Sequence, residues 1–154
     1  MKKIFVILLI AASMLTACSS AAKPDATQNG IEISQAKVVL PGGNAMGGMG
    51  MDSSLAAFMQ IKNTSSNADQ LIGVSTDFAD ASLHETKMDG SMMSMNEVQS
   101  IDLPAGGTVE LKPGSYHIML MNLKKGLMIG DTVMLNLEFK NAGKISINVK
   151  VTDK

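Results

Sequence analysis

The sequence predicts an all-β fold for residues 31–154, a β-sandwich with Greek-key connections. About nine short runs of β-branched and apolar residues are separated by turn signals, and helical periodicity extends over no long stretch. The last run alternates in polarity, with Ile145, Ile147 and Val149 separated by Ser146 and Asn148. Such alternation is typical of an antiparallel strand with one buried face. Many short strands with frequent turns form two packed layers or a closed barrel.

The first four predicted strands lie in residues 31–88. The runs at 31–40 and 55–63 end at Pro-Gly-Gly and at Thr-Ser-Ser-Asn, respectively. Two further runs follow at 70–78 and 81–88, and the second ends at Asp-Gly. Each boundary carries residues that favour turns and interrupt strands.

The other five predicted strands occupy the second half of the chain. Pro or Gly ends the first two of them, and Lys-Lys-Gly and Asn-Ala-Gly separate the rest. The five runs are 91–101, 108–112, 114–123, 132–140 and 144–151.

Residues 1–17 are predicted to be a signal peptide. Lys2 and Lys3 precede an apolar run at 4–15 that is too short to span a bilayer comfortably. Small residues then lead to Cys18, as in a bacterial lipoprotein signal, so lipidation of Cys18 and a membrane-anchored position on the periplasmic side are expected. Ser19 is not an obvious retention signal, which makes the outer membrane plausible. The alternative is that Cys18 is an incidental small residue.

Residues 18–30 are small and polar and are predicted to be a flexible tether between the lipid and the domain. Cys18 is the only cysteine of the chain, so the domain at 31–154 has none for a disulfide, a thiolate ligand or a nucleophile.

Composition argues against nucleic-acid binding. Removal of residues 1–17 takes away two of the 13 lysines and none of the 14 acidic residues, so the remainder carries a formal charge of −3. The chain has no arginine, no tryptophan and a single tyrosine, whereas nucleic-acid binders need a basic face and stacking groups. Methionine, by contrast, is unusually abundant at 14 residues.

The two histidines of the chain, His84 and His117, lie on predicted strands. Because alternate side chains of a strand share a face, His117 and Met119 can approach one point. A neighbouring strand could direct His84 at the same point, and Met95 could supply a fourth donor. Thioether sulfur is soft and neutral and suits Cu(I), whereas zinc prefers thiolate, imidazole and carboxylate. Four neutral ligands also favour a buried charge of +1 over +2, so the set favours Cu(I), with Ag(I) as a chemical mimic.

The order of these residues is His84, ten residues, Met95, twenty-one residues, His117, one residue and Met119. This pattern resembles the ligand signature of the periplasmic copper-A chaperone (PCuAC) family. The stretches "AAFMQIKNTSSNADQLIGVSTDFADASLHET", "LPAGGTVELKPGSYHIMLMNLKKGL" and "GDTVMLNLEFKNAGKISINVKV" are also similar to that family. The similarity covers roughly residues 31–151.

The resemblance implies a cupredoxin-like domain that carries Cu(I) and is not an enzyme. It implies that His84, Met95, His117 and Met119 are the ligands. It also implies delivery towards the copper centres of cytochrome c oxidase, through an oxidase subunit or an assembly factor as partner, or else protection against free copper.

Seven further methionines are candidates for auxiliary copper binding or for passing copper on. Those in glycine-rich or turn-rich segments cannot easily be held in a core, although loose packing against the sandwich remains an alternative. Met121 continues the face of His117, and its simpler interpretation is packing. The seven are Met46, Met49, Met51, Met88, Met92, Met93 and Met121.

Other functions fit less well. A blue-copper carrier needs a cysteine ligand, a c-type haem protein needs Cys-x-x-Cys-His, and no nucleophile elbow of a hydrolase is present. A structural surface lipoprotein with incidental histidines remains the main alternative. Delivery and sequestration of copper are both open within the copper hypothesis.

Overall fold

A computed structural model describes residues 23–40, 54–90 and 92–153 of the chain. These residues form eleven β-strands and no helix. The strands are β1 (Ala26–Gln28), β2 (Ile31–Val39), β3 (Leu55–Asn63), β4 (Asp69–Ser75), β5 (Asp80–Asp89), β6 (Met92–Glu97), β7 (Ile101–Leu103), β8 (Thr108–Leu111), β9 (Tyr116–Met121), β10 (Thr132–Phe139) and β11 (Gly143–Thr152). The prediction of an all-β fold is confirmed.

The strands form one mixed sheet in the order β6-β5-β9-β3-β2-β11-β10-β4-β7, with β1 paired to β2 and β8 paired to β3. Strands β2 and β11 pair in parallel, and the other recorded pairs are antiparallel. The parallel pair joins the first long strand to the last.

The sheet closes on itself like a barrel. Strands β6 and β7 lie at opposite ends of the strand order, yet only residues 98–100 separate them in sequence. Four residue steps span at most about 14 Å, so the two edges must come close together. The inner faces of β2 to β5 and β7 to β11 then bury one continuous apolar core, to which Ile33, Ile61, Leu120 and Leu135 contribute side chains with no exposed surface.

The structure has two strands more than the nine predicted. The run at 91–101 divides into β6 and β7 because the chain leaves β5 at Val98, whose N–H donates to the Leu83 carbonyl, and joins β4 on the other edge. A single apolar run cannot reveal such a change of partner.

The additional strand β1 lies within the segment predicted as a tether. Ala26–Gln28 pairs with the start of β2 through a tight turn at Asn29 and Gly30, whose φ angles are 49° and 81°. Strand β1 therefore precedes Ile31, the first residue of the predicted domain. The signal peptide and Cys18 lie outside the described residues. Within the ranges that the structure describes, no helix is long and apolar enough to cross a membrane.

Candidate metal centre

His84 on β5 and His117 on β9 occupy directly opposed positions of an antiparallel pair. Directly opposed residues project from the same face of a sheet, so both imidazoles lie on one face. Their ring centroids are 5.8 Å apart, with 36° between the ring planes. The opposite face of β9 carries Ile118 and Leu120, which are buried in the core and fix the register.

His117 is held in one tautomer. Its Nδ1 lies 3.1 Å from the Ser115 carbonyl oxygen. Because a carbonyl oxygen only accepts, Nδ1 carries the proton and the neutral ring keeps a free lone pair on Nε2. The side chain is only 5% exposed, and the Phe58 ring lies beside it at 6.5 Å between centroids. His117 thus presents one nitrogen donor in an apolar, largely dry setting.

In His84, the ring nitrogen without a hydrogen-bond partner is Nδ1, whereas in His117 it is Nδ1 that is hydrogen-bonded. Nε2 of His84 lies 3.0 Å from the Ser82 hydroxyl, whereas the buried Nδ1 has no hydrogen-bond partner. When Nε2–H donates to Ser82 Oγ, the Nδ1 lone pair is free to bind a metal ion. A buried nitrogen without a partner is costly, and a metal ion would remove that cost.

The pKa of His84 is lowered from its ordinary value of 6.5. Burial of the ring is the main cause, and repulsion from His117 adds to it, while the Glu97 carboxylate on β6 acts in the opposite direction. A lowered pKa keeps the imidazole neutral, which is the form that binds metal.

The separation of the rings suits one metal ion between them. A bond of about 2.0–2.1 Å between metal and nitrogen, with roughly 1 Å from nitrogen to ring centre, places two such centroids no more than about 6 Å apart. Among the residues that the structure describes, no three His, Cys, Asp or Glu side chains are grouped to hold a metal ion. Additional donors at the His pair would have to come from other residue types.

Met119 and Met95 flank the His pair on the same face of the sheet. Met119 stands two residues after His117 and is opposed by Ser82, whereas Met95 on β6 is opposed by Thr86, two residues after His84. The two thioethers therefore approach from opposite ends of the His pair. Met119 is half-buried and Met95 is 50% exposed, so the side of the His pair that carries Met95 is the more open one.

The structure separates the remaining methionine candidates. Met88 and Met93 oppose each other on β5 and β6, on the face of the His pair, whereas Met92 pairs with Asp89 and projects from the other face. Met121 lies on the face of His117 and is half-buried opposite Asp80, at the far end of the β5–β9 pair. Met46, Met49 and Met51 lie outside the described residues.

Sequence reasoning missed the residues that orient and surround the two rings. Ser82 and Ser115 each precede a histidine by two positions, but only at Ser82 could the residue type itself have been a signal. Ser82 acts through its hydroxyl and Ser115 through its backbone carbonyl. Phe58 and Glu97 carried no such signal, because only strand pairing brings them to the site.

Comparison with known proteins shows the family of the chain. Residues 25–151 match the profile of the LpqE-like family, described as "Putative lipoprotein LpqE-like". The chain belongs to the LpqE-like family. A relative from Leifsonia xyli subsp. xyli, named "Putative lipoprotein Lxx21020", is 34% identical over 146 residues, which are 90% of this chain and 82% of the relative.

Solved structures similar to this LpqE-like chain include PCuAC domains, which confirms the predicted resemblance to that family. The solution structure of CuI-DR1885 from Deinococcus radiodurans has a TM-score of 0.60 and 26% identity, and the match covers 87% of this chain and 86% of that one. The copper-bound PCuAC domain from PmoF2 has a TM-score of 0.65 and 23% identity, over 84% and 97% of the two chains.

Proposed function

We propose that this LpqE-like protein is a Cu(I)-binding chaperone on the outer side of the cytoplasmic membrane. His84 Nδ1, His117 Nε2 and the thioethers of Met119 and Met95 bind the ion as cargo. The observation that carries the proposal is the facing His pair, in which each ring directs one nitrogen to hydrogen-bonding partners and leaves the other free. The task is to bind and transfer an ion rather than to catalyse a reaction.

The donor set supports Cu(I) as the cargo. Two imidazoles and two thioethers bring no negative charge, so a monovalent ion leaves less uncompensated charge in the apolar setting of His117 than a divalent ion does. Ag(I) shares this chemistry and serves as a redox-inert mimic. The similarity to CuI-DR1885 supports the same cargo.

The openness of the site favours delivery over sequestration. Met95 lies on β6, whose side chains are all exposed, so an acceptor protein can reach the ion by displacing this thioether first. A pure scavenger gains nothing from an exposed ligand. We infer that the acceptor is a copper-accepting protein such as a cytochrome c oxidase subunit or its assembly factor, as the PCuAC resemblance implies.

Membrane attachment completes the proposal. Lipidation at Cys18 would hold the domain at a membrane surface on the periplasmic side, and the lipoprotein description of the family supports this position. The segment between Cys18 and β1 would then serve as the tether. An outer-membrane location follows only where the organism has such a membrane.

The proposal is tested by anaerobic Cu(I) titration of the purified protein together with X-ray absorption at the copper edge. One tightly bound Cu(I) with mixed nitrogen and sulfur scattering is expected. His117→Ala and Met119→Ala should each weaken this binding strongly, whereas Met134→Leu, an exposed methionine on β10, should leave it unchanged.

Binding that survives both substitutions, or no stoichiometric binding, would contradict the proposal. The alternative would then be a structural surface lipoprotein that binds no metal. Delivery and sequestration are separated by mixing the Cu(I)-loaded protein with a soluble copper-accepting domain, because only a delivery protein transfers its ion within seconds.

A further inference from the structure

The outer half of the β5–β6 hairpin differs from the rest of the fold. Each of the six residues of β6 is exposed, and no side chain of this strand joins the core. Even so, three of the six are methionines, and β5 adds Met88 close to the turn. Met88, Met92 and Met93 are 61%, 71% and 66% exposed, so they contribute little to packing.

Strand register sorts these methionines between the two faces. Met88 opposes Met93, and Met95 opposes Thr86 in the next row on the same face, while His84 and Glu97 form the row after that. Met92 opposes Asp89 and projects from the other face. One face of the hairpin therefore carries three thioethers in two successive rows that lead to the His pair.

The spacing of the rows suits passage of a soft ion. Side chains on one face recur about every 7 Å along a strand, and directly opposed Cβ atoms are about 5 Å apart. The Met88–Met93 row thus lies about 14 Å from the His row, with Met95 between them. Two flexible thioethers at an opposed pair can both reach one ion.

We infer that Met88 and Met93 form a second soft-metal site, which binds Cu(I) or Ag(I) and passes the ion through Met95 to the His pair. The binding site stands on the hairpin alone, whereas the passage to His84 and His117 rests on the proposed function. The metal ion keeps its oxidation state during this passage, because only neutral ligands are exchanged. Two exposed thioethers bind more weakly than a mixed nitrogen and sulfur site, so the ion moves inward.

Ag(I) titration of protein labelled with ¹³C at the methionine methyl groups tests the site. In the unaltered protein, the first equivalent should shift the Met119 and Met95 signals, and the second should shift Met88 and Met93 while Met92 stays unchanged. In the His84→Ala/His117→Ala double variant, Met88 and Met93 should respond to the first equivalent. Binding at Met88 and Met93 can therefore be measured even if the His pair binds no metal.

Leucine substitutions provide the matched comparison, since leucine has a similar volume and no sulfur donor. Met88→Leu/Met93→Leu should lose the second equivalent and slow the loading of the His pair from a Cu(I)–chelator complex at least severalfold, with the same final occupancy. Met92→Leu should change neither the number of ions bound nor the loading rate.

Two results would overturn the site: methyl signals of Met88 and Met93 that do not move by two equivalents, or a Met92 signal that moves with them. An unchanged loading rate in the double leucine variant would overturn the passage.

Discussion

His84 and His117 face each other across β5 and β9, each with one nitrogen engaged in a hydrogen bond and the other free. Ser82 and Ser115 set this arrangement from the residue two positions before each ring. On the proposed function, these hydrogen bonds would fix the nitrogens that face a shared ion, so the site would be organised before the metal binds.

Because the two rings would bind one ion, their contributions to the free energy of Cu(I) binding should not be independent. His84→Ala and His117→Ala should each weaken Cu(I) binding by more than about 100-fold, and the double variant should lose less than the sum of the two free-energy changes. Competition with a Cu(I) chelator measures these affinities. Strictly additive losses would indicate two separate sites instead.

Ser82 Oγ lies 3.0 Å from His84 Nε2 and would orient this ring without itself being a ligand. Ser82→Ala should weaken Cu(I) binding by about 10-fold to 100-fold, because the ring loses the partner that holds Nε2–H. Ser94→Ala provides the control, since Ser94 is exposed and lies opposite Lys87 on the other face of the hairpin. Equal affinities of the two variants would show that the Ser82 hydroxyl plays no part.

The charges around His84 predict that its pKa shifts in opposite directions in two variants of the apoprotein. His117→Ala removes the repulsion that helps to lower the pKa of His84, so this pKa should rise towards 6.5. Glu97→Gln removes the neighbour that raises it, so the pKa should fall further. An NMR titration of the ring protons measures both. Shifts of the same sign in the two variants would contradict the assigned causes.

The same lowered pKa links the stability of the apoprotein to pH. The unfolded chain binds a proton at His84 near pH 6.5, and the folded chain binds it only at lower pH. The contribution of His84 to the free energy of unfolding should therefore fall as the pH drops below 6.5 and level off below the folded-state pKa. Urea unfolding of the apoprotein and of His84→Ala at several pH values checks this, because the difference between their free energies of unfolding should change with pH only within that window.

Asp69 should matter for stability and not for metal binding. Its buried carboxylate accepts hydrogen bonds from the backbone N–H groups of Gln70, Asn141 and Ala142, which tie β4 to the turn before β11. Asp69→Ala should reduce the free energy of unfolding by about 2–4 kcal/mol, because buried donors lose a charged acceptor. Asp77→Ala, at an exposed position, is the control. A matching loss of Cu(I) stoichiometry in folded Asp69→Ala protein would contradict the separation of the two roles.

The sequence by itself determined the fold class, most of the strands and the placement of four candidate ligands on three of them. These features follow from local alternation of polarity and from turn residues, as Ile145, Ile147 and Val149 illustrate. The similarity to PCuAC domains was likewise readable from residues 31–151.

Only the tertiary structure decided which strands are neighbours. The register of β5 on β9 brings His84 opposite His117, and that of β6 on β5 places Met88, Met93 and Met95 on the His face and Met92 on the other. Long-range pairing depends on how the whole core is buried rather than on any local pattern, because a shift of one residue would exchange the two faces. The chain supplied the candidate donors, and the pairing of β6, β5 and β9 placed them on one face.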